Sequence, residues 1–292
     1  MHDLWSKDAE LNFFQSALKI ANSGSLFYRM TDGRFVAYYP KEYEEEKETI
    51  QSRNSLVGSY TERWVIDLLK DVATDFGLFA VGKVVCDEIG LDSRSPADVA
   101  FCTSDRRIQE PNNIKLVVEV KMSIVWNWEL LGQEIKPIGD YTTHSGNPGL
   151  LRSDTMLKAI GKSLNIRVAN FASSEVPVII LGNTPITRFY HKKVDFLNSA
   201  GIIQKFISVN PNPLDNESSL KMTPEGGYEK VDSYEELKSI ITPLISEKRK
   251  FFSGMKSVSH IGRIIEIANK EDTYEKKAQT FIRLIRNGEL HE

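Results

Sequence analysis

The stretch Leu116-Val117-Val118-Glu119-Val120-Lys121-Met122 sets two charges into an otherwise apolar run. Its length and β-branched content are those of a buried strand. Side chains alternate along a strand, so Leu116, Val118, Val120 and Met122 share one face while Glu119 and Lys121 share the other. Burying either charge alone is costly, so the two must meet each other, a cation or a solvated cleft. Upstream, Ser95-Pro96-Ala97-Asp98 leads into the apolar run Val99-Ala100-Phe101-Cys102 and places Asp98 at the mouth of another strand. If the two strands are neighbours, two carboxylates and an ammonium converge.

The surrounding elements can be read in order. Residues 8–22 have Leu11, Phe14, Leu18 and Ala21 at helical spacing, and aromatic residues on either side of Asp32-Gly33 suggest a short strand pair. Glu42 to Glu48 is an acidic run, expected as a solvated helix or loop. A helix is predicted over Ser59–Phe76 from the stripe Val65, Leu69, Val72 and Phe76, with Gly77 ending it. Three strands follow, at Phe79–Cys86, after Asp98 and at Leu116–Met122. Val125–Gly149 reads as a long irregular loop containing Trp126 and Trp128. Arg152–Ile166 reads as a helix with Leu157, Ile160 and Leu164 inward and Lys158 and Lys162 on another face. Val176–Leu181 is apolar enough for a central strand. Beyond it, a helix is expected at Phe189–Leu197, a strand at Ile202–Val209, a loop at Pro211–Gly227, and helices at Tyr234–Phe252, Ile261–Ala268 and Tyr274–Arg286.

Motif and element order together resemble the PD-(D/E)XK nuclease superfamily, which includes most type II restriction endonucleases and several DNA-repair nucleases. Asp98 matches the first acid, Glu119 the second and Lys121 the lysine, with Ala97 standing between Pro96 and Asp98. The resemblance implies an α/β fold with a restriction-endonuclease-like αβββαβ core, in which a mixed central sheet is flanked by helices, plus N- and C-terminal helical elaborations. One nuclease domain would fill residues 1–292, with the catalytic core at 58–182 between elaborations at 1–57 and 183–292. The implied cofactor is Mg²⁺, held by Asp98, Glu119 and the carbonyl of Val120. Lys121 would hold the attacking water or offset developing charge, and its desolvated ammonium is expected to have a lowered pKa. Glu62 has two readings. Ser59-Tyr60-Thr61-Glu62 is a capping-box pattern, and Gly58 to Glu62 also resembles the G-x-x-x-E of the first core helix in this superfamily, whose Glu reaches the metal.

The expected activity is hydrolysis of double-stranded DNA at a short specific sequence. The expected assembly is a homodimer, with any cognate methyltransferase on a separate chain. A repair or junction-resolving nuclease and a non-catalytic DNA-binding module are the rival readings. The net charge of −3 excludes a general nucleic-acid coat protein, but residues 150–193 hold seven basic residues against two acidic ones. Arg152, Ser153, Lys158 and Lys162, at the start and on one face of the predicted helix, are the DNA-binding candidates.

At 292 residues with 41% hydrophobic and 26% charged content, the chain has the composition of a soluble globular protein. It shows no membrane-length apolar run and no signal-peptide pattern, so a cytoplasmic location and no membrane partner are expected. Cys86 and Cys102 read as buried reduced thiols. His144 and His191 lack ligand-spaced partners, so no zinc site is assigned. Trp126 and Trp128 read as packing residues rather than base contacts.

Overall fold

The computed structural model describes residues 3–45, 50–252, 254 and 256–287. Its elements are α1 (Lys7–Ala17), β1 (Tyr28–Arg29), β2 (Phe35–Val36), α2 (Gln51–Asp75), β3 (Phe79–Val84), β4 (Ala97–Cys102), β5 (Ile114–Lys121), β6 (Asn127–Leu131), β7 (Glu134–Gly139), α3 (Ser153–Ala169), β8 (Val178–Gly182), α4 (His191–Ser199), β9 (Lys205–Ser208), β10 (Tyr228–Lys230), α5 (Tyr234–Ser246), α6 (Val258–Ala268) and α7 (Tyr274–Asn287). Two compact units divide the chain, Met1–Arg249 and Lys250–Glu292, where the sequence reads as one domain. In the second unit α6 and α7 pack through Ile264, Leu284 and Ile285.

The first unit is α/β, built on a mixed six-stranded sheet in the order β10-β9-β8-β5-β4-β3. β4 runs antiparallel to both of its neighbours, β3 and β5, while β5, β8, β9 and β10 run parallel. Alternation along β5 sorts its side chains as the sequence suggests. Leu116, Val118 and Val120 join α1, α2 and α5 on one face, and Val117 joins the core on the face covered by α3. Glu119 and Lys121 share the parity of Val117 and so point towards α3. In chain order α2, β3, β4 and β5 are followed by β6 and β7 before α3 and β8, so two strands interrupt the expected succession of helix, three strands, helix, strand.

Three expectations fail here. Val125–Gly149 is no irregular loop: β6 and β7 form a hairpin that joins β1 and β2 in a second, four-stranded antiparallel sheet. Pro137 disguises β7, yet a proline is tolerated there because β7 is the sheet edge. Second, α2 begins eight residues before Ser59, because Val57, Thr61, Val65, Leu68 and Val72 continue one buried stripe. Ser59 is therefore inside the helix, and the capping-box reading of Glu62 falls. Third, Leu157 is 62% exposed and Leu164 39% exposed, while Met156, Ala159, Ser163 and Ile166 face the sheet. Small residues allow the close approach of helix to sheet, and their low hydropathy hides that face from a pattern search. Elsewhere α5 stops at Ser246, six residues short of the expected end, after Pro243 and before the charged run Glu247–Lys250. Of the acidic run, residues 46–48 lie outside the described residues.

Candidate active site

Asp98 lies near the start of β4 and Glu119 near the end of β5, and the register brings them side by side. Val99 pairs with Val118 and Ala100 with Val117, so one further step sets Asp98 across from Glu119. On the other side of β4, Gly82 pairs with Val99 and Val84 with Ala97, which leaves Lys83 across from Asp98. The Asp98 carboxylate accepts the Val120 amide at 2.8 Å through Oδ2. Behind the site the backbone is tightly layered. A Cβ on Gly182 would meet Leu150 Cδ1 at 2.6 Å and the Lys121 carbonyl at 3.3 Å, so only glycine fits there.

Two lysines close on the two carboxylates. Lys121 Nζ lies 2.5 Å from Glu119 Oε1 and 3.6 Å from Asp98 Oδ2. Lys162, reaching down from α3, lies 2.6 Å from Glu119 Oε2 and 3.4 Å from Asp98 Oδ1, and donates to the Pro96 carbonyl at 2.6 Å. The contact with Glu119 Oε2 is an ion pair lacking hydrogen-bond geometry, so this buried oxygen retains accepting capacity. Burial and the neighbouring Asp98 raise the Glu119 pKa, against the pull of both lysines. For Lys121, burial works against the charge, but Glu119 and Asp98 outweigh it and hold the ammonium above the ordinary lysine range. The expected lowering of its pKa is thus reversed, because two carboxylates face it at contact distance.

These groups line an open cleft of about 720 Å³. Among the described residues it is lined by six basic side chains, Lys83, Arg94, Arg107, Lys121, Lys158 and Lys162, against three acidic ones, Glu62, Asp98 and Glu119. This inverts the balance of a chain whose net charge is −3. A larger hollow of about 930 Å³ beside Trp5, Asp215 and Tyr234 contains none of the motif residues.

Glu62 stands on the cleft wall, 3.7 Å from Lys83 Nζ, with its pKa raised by burial and by Asp98. The DNA-binding candidates separate. Lys158 is an exposed cleft residue, 3.9 Å from Asp154. Lys162 faces the carboxylates rather than solvent. Arg152 forms a two-pronged ion pair with Asp154, at 2.9 and 2.7 Å, and lines a smaller hollow with Tyr38, Arg53 and Thr155 that shares Lys121 with the cleft. Ser153 opens α3 next to it, exposed and not lining the cleft. Trp126 and Trp128 are buried core residues, as is His144, which stacks on Tyr38 at 4.0 Å. Cys86 and Cys102 are buried free thiols.

Sequence reasoning missed Lys83, Arg94 and Arg107. Lys83 had a signal, being a charge in an apolar strand as Lys121 is. It also takes a left-handed backbone, φ 54°, and Arg107 Nε donates to its carbonyl at 2.8 Å. Arg94 and Arg107 come from loops whose sequences carry no comparable mark.

Among the described residues no group of three or more His, Cys, Asp or Glu side chains is placed to hold a metal ion, and no helix is long and apolar enough to cross a membrane. The carboxylate donors in the cleft are Glu62, Asp98 and Glu119, and Lys121 Nζ approaches the carbonyl of Val120, a residue lining the smaller hollow, at 3.2 Å. No family model, curated protein or solved structure matches this chain.

Proposed function

We propose that this chain is a divalent-cation-dependent DNA endonuclease with the PD-(D/E)XK arrangement of groups, acting as a type II restriction enzyme on a short duplex sequence. The observation that carries the reading is the adjacency of Asp98, Glu119 and Lys121 inside a cleft whose wall is cationic in an otherwise acidic protein. Binding a polyanion needs the cationic wall, and hydrolysing one needs hard oxygen donors for a cation.

The donor set fits Mg²⁺ in kind: this ion takes one or two carboxylates and completes its shell with carbonyl, water and phosphate oxygens. Asp98, Glu119 with its receptive Oε2, and the Val120 carbonyl are the residues that would hold it. When bound, the cation supplies a water of lowered pKa and positive charge beside the phosphoryl oxygens. Lys121 orients that water or offsets charge on the phosphate, being held cationic and within reach of both acids. Glu62 shares the cleft wall and holds Lys83. The basic wall takes the flanking phosphates. Two chains would serve a two-fold symmetric site, and a separate methyltransferase would protect it.

Supercoiled plasmid incubated with the protein and Mg²⁺ should be cut to discrete fragments, with run-off sequencing giving one recurring sequence at the ends. Cleavage at branched substrates only would transfer the reading to a junction-resolving nuclease. Intact plasmid under all divalent cations would leave a binding module. Sedimentation with cognate duplex should show two chains per DNA.

A further inference from the structure

The Lys162 ammonium stands between the two carboxylates that the proposed reaction assigns to a cation. It is 2.6 Å from Glu119 Oε2 and 3.4 Å from Asp98 Oδ1, and its side chain is only 15% exposed. Lys121, by contrast, meets the other oxygen of each acid. The two lysines thus divide the four carboxylate oxygens between them. A divalent cation that takes Asp98 and Glu119 as ligands must enter on the Lys162 side or the Lys121 side, and like charges at such distances oppose each other strongly in a buried setting.

Lys162 is the one built to leave. It comes from α3, opposite the sheet, whereas Lys121 is fixed on β5 within two residues of Glu119. Its hydrogen bonds run to the Pro96 carbonyl and Asp98 Oδ1, and its contact with Glu119 lacks hydrogen-bond geometry, while Lys121 is hydrogen-bonded to Glu119. Beside it on the cleft wall, Gly161 carries no side chain, and an added Cβ would meet open space. Lys158, one turn earlier on the same helix, already faces that open wall.

We propose that Lys162 is an exchangeable counter-cation. It neutralises Asp98 and Glu119 until a divalent cation displaces it, and its released ammonium then pairs with a phosphate of the bound strand. This rests on the nuclease reading and extends it to regulation: cation and polyanion promote one another's binding, because each takes over one partner of Lys162. A coupling of this kind is reciprocal and commonly amounts to roughly 5- to 150-fold in affinity.

The test is Mn²⁺ binding, read from the electron paramagnetic resonance signal of the free ion, with and without a mixed-sequence phosphorothioate duplex. Wild type should bind Mn²⁺ weakly alone and about tenfold or more tightly with the duplex. Lys162→Met should bind Mn²⁺ tightly without duplex and gain little on its addition. Lys162→Gln, which keeps a donor for the Pro96 carbonyl, provides the same reading if the methionine variant does not fold. Equal or weaker Mn²⁺ binding by the folded variant, with an undiminished gain from duplex, would overturn the exchange role while wild-type cleavage kept the nuclease reading intact. Wild type that neither binds Mn²⁺ nor cuts DNA would overturn both.

Discussion

The Asp98 carboxylate accepts the amide of Val120 through Oδ2 at 2.8 Å, so the first acid is tied to the strand that carries the second. Asp98 therefore has a structural bond as well as its place in the cleft, and the two roles are separable by substitution. Asp98→Asn retains an acceptor for the Val120 amide but removes the charge. It should lower cleavage by about 100-fold or more while leaving the melting temperature near wild type, whereas Asp98→Ala should in addition lose about 1 kcal/mol of stability. Cleavage rates and thermal melts of both variants decide this. Glu119→Ala should cost more, because it removes the closer of the two carboxylates shared by Lys121 and Lys162 and leaves them only Asp98, and removing one member of a buried charge cluster costs roughly 3–5 kcal/mol.

Lys83 combines strain with charge. A non-glycine residue at φ 54° is unfavourable, and such residues cost on the order of 1–3 kcal/mol where the surroundings enforce them. Lys83→Gly removes both the strain and the ammonium, whereas Lys83→Ala removes only the ammonium. Both should weaken DNA binding and lower the salt slope by about one unit, but only the glycine variant should hold or raise the melting temperature. Undiminished binding in both would take Lys83 out of the DNA surface.

How much of this was legible follows from where the signals lie. The charges of Glu119 and Lys121 stand out against valines, so the strand and its charged face could be read from β5 alone, and Asp98 was read from the run that leads into β4. The α3 face could not be read, since Ala159 and Ser163, not Leu157 and Leu164, touch the sheet. That error of about one residue turned Lys162 outward on paper when it points into the carboxylates. Of the second sheet, the short pair β1 and β2 was legible from the aromatic residues around Asp32-Gly33, but the β6–β7 hairpin that completes it escaped, since β7 contains Pro137. Glu62 was undecidable from sequence, for a capping box and a mid-helix glutamate differ only in where the helix begins.

The corrected α3 face divides the basic segment into groups with different expected effects. Lys158 is exposed on the cleft wall, while Arg152 is engaged by Asp154 through both arms of its guanidinium. Lys158→Gln should flatten the salt dependence of DNA binding by about one unit of slope, and Arg152→Gln should leave it unchanged. Equal slopes for the two variants, measured across a salt series, would mean that the cleft wall is not where the phosphates lie.

Glu10 offers a test of the fold apart from the chemistry. It is fully buried on α1, and its carboxylate accepts from Trp5 Nε1, the amides of Val125 and Trp126, and Trp128 Nε1, clamping the segment that follows β5. Burial opposes the charge more than the four donors favour it, and its pKa is raised from 4.5 to about 7. Unfolded chain therefore releases this proton at lower pH than folded chain. Between the two values the folded state binds more proton, so stability from this group is full below about pH 4.5 and falls as pH rises through about 7, by roughly 3 kcal/mol in all. Glu10→Gln cannot ionise and should lose that dependence, at the cost of an amide group placed among donors with no acceptor. Urea unfolding of both proteins at about pH 5 and about pH 8 measures the difference, and a wild-type stability that changes no more than the variant's would show that Glu10 stays charged within the core.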